Sequence, residues 1–353
     1  MQKIYDTIVI GGGQSALACA YYLNRANLNY LLLDDQQAPG ASWRHYWESL
    51  TLFSPAAFSS LPGWLMPESK DEYPSRDEVI AYLTQYENRY KVPVERPVRV
   101  QDVCFEDGIY EIKTKKKTYF ARTVISATGS FRKPFIPDFP DADKFKGKQL
   151  HSAAYKKPEP FSGKRVLIVG GGNSGAQILA EVSEVADTGW VTLEEVTFLP
   201  DDVDGRVLFD QASARYYAMQ HGRELNSSQF HVGNIVMVPP VKKARDRGAL
   251  HTMRPFERFY EQGVIWPNGK QEKIDTVIWC TGYRFALDHL ACLQLQRDEK
   301  GSVAVEGTRS TQQPGLWLVG YGNWTGFASA TLIGVGRSAR QTVAEIQKHL
   351  EQV

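Results

Sequence analysis

The sequence predicts an α/β protein of two Rossmann-like, three-layer dinucleotide-binding domains. Three observations predict it: a glycine turn between a strand and a helix, the return of that turn 159 positions later, and an apolar strand ending in Thr-Gly after each. A chain of 353 residues suits two cores, at about 150 residues for each domain.

In the first unit, Asp6 to Ile10 form an apolar run that ends in Gly11-Gly12-Gly13-Gln14-Ser15-Ala16. A helix is predicted from Leu17 to Arg25 and a second strand from Tyr30 to Leu33. Gly11 permits the tight turn, Gly13 lets backbone N–H groups approach a pyrophosphate, and Ala16 keeps the helix close to the sheet. Gln14 and Ser15 join them as candidate contacts. Asp34 ends the second strand 23 positions beyond Gly11, where a carboxylate accepts hydrogen bonds from an adenosine ribose. A glycine string alone is a common turn; the strand, helix and acid around it carry the reading.

The pattern returns at Arg165 to Val169, followed by Gly170-Gly171-Gly172-Asn173-Ser174-Gly175, a helix to Val185 and a strand from Trp190 to Leu193. Gly170, Gly172, Asn173, Ser174 and Gly175 are the candidate contacts here, with Glu194 as the acid, 24 positions beyond Gly170. Each unit later supplies a strand ending in Thr-Gly, at Ala127-Thr128-Gly129 and at Thr281-Gly282. Two modules in one chain imply two nucleotides: FAD on the N-terminal module, and NADH or NADPH presented to the flavin by the second.

Composition narrows the alternatives. With 42% hydrophobic residues, 23% charged residues and a net charge of +1, the chain gives no reason to expect nucleic acid, and no run of about 18 apolar residues is present to cross a bilayer as a helix. The N-terminus lacks the features of a signal peptide, so a cytoplasmic location is expected. Cys19, Cys104, Cys280 and Cys292 form no CxxC pair and are expected to be isolated core thiols, which argues against a dithiol reductase. The histidines form no HExxH pair, and no catalytic metal is expected.

Between the modules, Phe145-Lys146-Gly147-Lys148-Gln149-Leu150-His151-Ser152-Ala153-Ala154-Tyr155 resembles the FxGxxxHxxxY signature of flavin-containing monooxygenases at every fixed position. Baeyer–Villiger relatives end a similar string in Trp, so Tyr155 favours the amine- and sulfide-oxidising branch. The resemblance implies a short bacterial-type member of the class B flavoprotein monooxygenases, with the two-dinucleotide-domain architecture of disulfide reductases. It implies an FAD domain in two parts, residues 1–158 and 286–353, with the NAD(P)H domain, 159–285, inserted. It also implies oxygenation of a thioether, or of an amine, by O2 through a flavin 4a-hydroperoxide, with minor Baeyer–Villiger activity on ketones. A homodimer is the expected assembly.

By the same resemblance, Gly40-Ala41-Ser42-Trp43 matches a GGxW segment lying along the flavin, which makes Ser42 and Trp43 candidate FAD contacts. Asn323 replaces an Asp in a Gly-Asp pair, and Thr331 and Leu332 are expected to start a final helix facing the flavin. His151 is expected to position the domains, so that His151→Ala slows flavin reduction.

The chain departs from the family twice. Phe53 stands near a position where relatives carry Asn, and its ring donates no hydrogen bond to stabilise the oxygenating species, which keeps open an NAD(P)H oxidase that releases peroxide. Thr192-Leu193-Glu194-Glu195 lacks the Arg with which NADPH-specific relatives pair the 2′-phosphate, so NADH is expected to be accepted, unless a basic residue such as Arg206 folds over. The polar stretch from Asp201 to Arg258 reads as an irregular solvated surface or a mobile cover. A non-catalytic nucleotide sensor is a further alternative with little sequence support.

Overall fold

The computed structural model of the chain describes residues 3–220 and 234–352. Its regular elements begin with β1 (Ile4–Ile10), α1 (Gln14–Arg25), β2 (Tyr30–Leu33), α2 (Arg76–Arg89), β3 (Val94–Glu95), β4 (Val100–Glu106), β5 (Ile109–Thr114) and β6 (Thr118–Ser126). Then come β7 (Lys148–His151), β8 (Arg165–Val169), α3 (Asn173–Val182), β9 (Asp187–Val191), α4 (Gly205–Gln220) and α5 (Pro239–Asp246). They continue with β10 (Thr252–Met253), β11 (Arg258–Tyr260), β12 (Gly263–Ile265), β13 (Gln271–Lys273) and β14 (Thr276–Trp279). The chain ends with β15 (Val305–Glu306), β16 (Arg309–Ser310), β17 (Leu316–Leu318) and α6 (Val335–Gln352).

Two units divide these elements. One comprises Met1–Arg44, Ser54–Lys133 and Arg284–Val353; the other comprises His45–Phe53 and Pro134–Tyr283. In the first, the sheet order β15-β16-β17-β6-β1-β2-β3 is carried by parallel pairing of β1 with both β2 and β6, and the β4–β5 hairpin joins through β6. All four residues of β2 are buried, as a parallel strand covered on both faces requires. Helix α1 buries the unbroken run Ser15–Ala20 plus Leu23, while α6 buries Val335, Ala339, Thr342, Val343 and Ile346, the stripe of an amphipathic surface helix.

The second unit holds an all-parallel sheet of order β10-β9-β8-β14-β7 and a separate antiparallel sheet β11-β12-β13. Its core gathers Val166 and Ile168 of β8, Ile178 and Leu179 of α3, Trp190 of β9 and Ile278 of β14.

Several sequence expectations are corrected. The unit boundary falls at Lys133/Pro134 instead of 158/159, because residues 148–151 are not a linker: β7 pairs with β14 in the register Thr276↔Lys148 to Trp279↔His151. The His45–Phe53 segment also belongs to the second unit. Cys104 and Cys292 are not isolated thiols but a disulfide across 188 positions; Cys19 and Cys280 remain free and buried. Helix α3 ends at Val182 and β9 at Val191, each earlier than predicted, and the final helix starts at Val335, because Thr331 to Gly334 close a turn before it. The stretch from Asp201 to Arg258 contains α4 and α5; its residues 221–233 lie outside the described residues.

Candidate functional site: two dinucleotide cradles

In each module the chain leaves the first strand for one neighbour and returns on the other side. Strand β1 lies between β2 and β6, and β8 between β9 and β14, so a crevice opens at the strands' C-terminal ends. Both glycine turns sit there in the same way. Gly11 takes φ +119°, and a Cβ on it would fall 2.5 Å from the Ala127 carbonyl oxygen. Gly170 takes φ +132°, and its Cβ would strike the Cys280 carbonyl. The third glycines, Gly13 and Gly172, are the N-caps of α1 and α3, and neither helix start has a side-chain cap. By contrast α2 begins with a complete capping box between Ser75 and Glu78. The free N–H groups of α1 and α3, with the positive end of each helix dipole behind them, suit an anionic pyrophosphate.

Among the described residues a Cβ on Gly172 would meet nothing within 4 Å, whereas one on Gly175 would collide with the Gly170 carbonyl oxygen. The first is open toward a ligand, and the second lets α3 approach its own turn. At the equivalent place in the first module, Ala16 is fully buried.

Asp34 lies where a strand-end acid belongs and is only 2% exposed. Its Oδ2 pairs with Arg96 Nε at 2.8 Å and its Oδ1 accepts from the Gln36 N–H at 3.2 Å; Arg96 in turn grips Glu87 through two bonds of 2.7 Å. Burial pushes the Asp34 carboxyl up, and Arg96 pulls it back. Arg96 stands between these two buried acids and is the cation that meets both. Neither Arg96 nor Glu87 shows a motif that marks it in the sequence.

Around the first turn, Gln14 connects two predicted segments: its Nε2 donates to the Ala330 carbonyl at 2.7 Å, and its Oε1 accepts the Trp43 indole N–H at 3.0 Å. Ser42 and Trp43 lie in the turn Ala41–His45, where Ala41 holds a left-handed φ of +44° at the second position of the expected glycine pair. Ser15 Oγ occupies the space a side chain on Gly320 would need, so the Gly320 to Asn323 loop lies against the start of α1. Asn323 itself is exposed. Thr331 Oγ1 donates to the Ala328 carbonyl at 2.8 Å and accepts from Gly334 N–H, while Leu332 is buried; both close the turn before α6.

Thr128 is held by a network that sequence reasoning missed. The Tyr321 hydroxyl meets Ser126 Oγ at 2.6 Å and Thr128 Oγ1 at 2.8 Å, and Ser126 Oγ meets His289 Nε2 at 3.0 Å. Thr128 Oγ1 also donates to the Ala286 carbonyl at 2.7 Å. The network fixes the Ala127-Thr128-Gly129 turn from behind. Burial holds His289 down at about 4, so it is neutral at physiological pH.

In the second module the Asn173 side chain is committed to the protein: Oδ1 accepts from Val236 N–H and Nδ2 donates to the Asn234 carbonyl. Ser174 follows it in the first turn of α3. Strand register gives Thr192, not Glu194, the position in the second module that is equivalent to Asp34 in the first. Ile10 pairs with Leu33 in one module and Val169 with Val191 in the other, so Asp34 and Thr192 each follow the last paired residue. Thr192 Oγ1 donates to the Glu194 carbonyl, and Glu194 is exposed two residues farther on. Arg206 is engaged with Asp204, at 2.9 Å.

The monooxygenase-like signature folds as a brace of this second module. A Cβ on Gly147 would strike the Phe145 ring, which packs on Phe259 with centroids 5.1 Å apart. His151 Nδ1 accepts from Ala153 N–H at 3.1 Å, so Nε2 carries the proton and donates to the Gly282 carbonyl at 2.9 Å. Burial lowers the His151 pKa, consistent with this neutral tautomer. Thr281 Oγ1 donates to the Phe135 carbonyl in the same turn. The Tyr155 hydroxyl donates to Glu181 of α3 at 2.8 Å, and Ser49 reaches the other oxygen of Glu181. Phe53 packs against Phe209, centroids 6.0 Å apart, and its carbonyl accepts from Gly205 N–H at 2.7 Å.

The family model described as pyridine nucleotide-disulphide oxidoreductase matches residues 8–195. A solved flavin-containing monooxygenase from Stenotrophomonas maltophilia is 48% identical, with a TM-score of 0.90 over 99% of this chain and all of that one. The chain belongs to the flavin-containing monooxygenase branch of that family. A CzcO-like uncharacterized oxidoreductase from Geobacillus kaustophilus is 30% identical over 99% of this flavin monooxygenase and all of its own length. Indole-3-pyruvate monooxygenase YUCCA1 of Oryza sativa subsp. japonica is 27% identical, covering 96% of this chain and 90% of its own. A bacillithiol disulfide reductase from Staphylococcus aureus, at 18% identity and a TM-score of 0.69, shares the fold. The fold class read from the two glycine turns, and the resemblance read from the signature, therefore hold.

FAD fits the first cradle on a further observation. Trp43, Trp190, Trp266, Trp279 and Trp317 each give their indole N–H to an acceptor at 2.7 to 3.0 Å. The buried Trp324 Nε1, beside Asn323, has no acceptor among the described residues. A buried donor left in this way suits a ligand that brings an acceptor.

Proposed function

We propose that this FAD-dependent monooxygenase draws hydride from NADH as well as NADPH and oxygenates soft nucleophiles, thioethers foremost and amines next. The observation that carries the reading is the duplication itself, two glycine turns seated alike with two uncapped helices, joined to a complete signature in a chain 48% identical to a flavin-containing monooxygenase.

Bound FAD would supply electron storage and oxygen activation, and the nicotinamide its hydride. In this reading the N–H groups at the start of α1, with Gly11, Gly13, Gln14 and Ser15, hold the FAD pyrophosphate. The buried Asp34 carboxyl group accepts from the ribose, held in place by Arg96. Thr128 and Gly129, fixed by Tyr321, and the segments carrying Trp43 and Asn323 line the flavin half. Gly170, Gly172, Ser174 and Gly175 receive the second pyrophosphate, while His151 sets the Thr281-Gly282 turn through the Gly282 carbonyl. NADH acceptance is supported by the absence of a cation from Thr192 to Glu195 and by the pairing of Arg206 with Asp204.

The test is to follow NADH and NADPH consumption in air with methyl phenyl sulfide while assaying sulfoxide and hydrogen peroxide together. Sulfoxide formed in step with either nucleotide is expected. Peroxide alone, with thioethers and amines alike, replaces the proposal with an NAD(P)H oxidase, the outcome that Phe53 and its packed, donor-free ring would favour.

A further inference from the structure

The end of β9 has a neighbour that sequence order conceals. Strand β10, only two residues long, pairs in parallel with β9 through Thr252↔Trp190 and Met253↔Val191, and the Thr192 N–H donates to the Met253 carbonyl at 3.0 Å. The next residue, Arg254, therefore lies alongside Thr192, 62 positions away in the chain and beside the place that corresponds to Asp34 in the first module. That place is the adenosine-ribose end of a dinucleotide cradle.

Arg254 is exposed, and it has no hydrogen bond or ion pair among the described residues. Its guanidinium neighbours in the same unit behave differently: Arg165, Arg206, Arg245, Arg247 and Arg258 each reach a carboxylate. Next to Thr192, Leu193 is 85% exposed, the barest of the large apolar side chains described. A free guanidinium and a bare aliphatic side chain at one strand end match the two halves of a ligand with an anion on one side and a flat base on the other.

We propose that Arg254 is the 2′-phosphate subsite of this enzyme, so that NADPH is recognised from the edge strand β10 while NADH binds the same cradle without that contact. The inference rests on reading the second module as the nicotinamide-dinucleotide site. Glu194 and Glu195, exposed on the same loop, oppose a phosphate dianion, so Arg254 confers a preference and not strict dependence.

The experiment is calorimetric titration of the FAD-loaded enzyme, native and as Arg254→Ala and Arg254→Lys, with NADP+, NAD+, 2′,5′-ADP and 5′-ADP. Arg254→Ala is expected to weaken NADP+ and 2′,5′-ADP by about tenfold to a hundredfold, the range for a lost charge-assisted contact, and to leave NAD+ and 5′-ADP unchanged. Arg254→Lys should fall between, because a lysine keeps the charge without the fork. Equal loss for phosphorylated and unphosphorylated ligands, or no loss for either, overturns the subsite. Failure of the native enzyme to bind any of the four overturns the reading of the module beneath it.

Discussion

At the scale of single residues, the first cradle is governed by what burial does to charge. Asp34 is legible from its spacing, but the groups that let a buried carboxylate persist, Arg96 and then Glu87, are not, because ion pairs 62 and 9 positions apart follow no local period. His289 shows the same limit. Its ring is buried against Ser126 and held down at about 4, so between about 4 and its ordinary value near 6.5 the folded chain binds fewer protons there than the unfolded one. Stability from this group is complete above pH 6.5 and is lost as pH falls through that window, by up to about 3 kcal/mol. In urea titrations from pH 7 to pH 4.5, His289→Gln should lose stability less steeply than the native chain; an identical slope in both would place the acid sensitivity elsewhere.

Among the elements, the two glycine turns were readable because their demands are local: a positive φ and a helix start within six residues. The strand ends beyond them were less readable. The acid of the second module was assigned by counting to Glu194, yet strand register gives the place to Thr192, since β9 starts and stops earlier than its apolar run suggested. Strand β10 escaped altogether, as two residues carry no periodicity. The glycines nevertheless separate cleanly by role. Gly175→Ala should destabilise the chain, because its Cβ meets the Gly170 carbonyl in the body of the turn. Gly172→Ala should melt close to the native temperature, since a Cβ there meets no atom of the described residues within 4 Å, and should bind NADPH more weakly. Loss of fold in the second variant, or undiminished affinity, would contradict the open cradle.

Across the whole molecule, the duplication specified the architecture and the signature specified the branch, while the division of the chain was misjudged. The signature is recognisable as a string, but its physical meaning is an edge strand: β7 completes the parallel sheet of the second unit, and His151 and Tyr155 brace the Gly282 turn and α3 within it. The disulfide between β4 and the turn Asp288–Leu293 was equally invisible, because pairing across 188 positions leaves no spacing to read. The central claim is that one module holds FAD and the other delivers hydride to it. Rapid anaerobic mixing of the FAD-loaded enzyme with NADPH, and separately with NADH, tests this directly. Bleaching of the oxidised flavin band by both nucleotides is the predicted result; a flavin that stays oxidised at saturating concentrations of each would contradict the account.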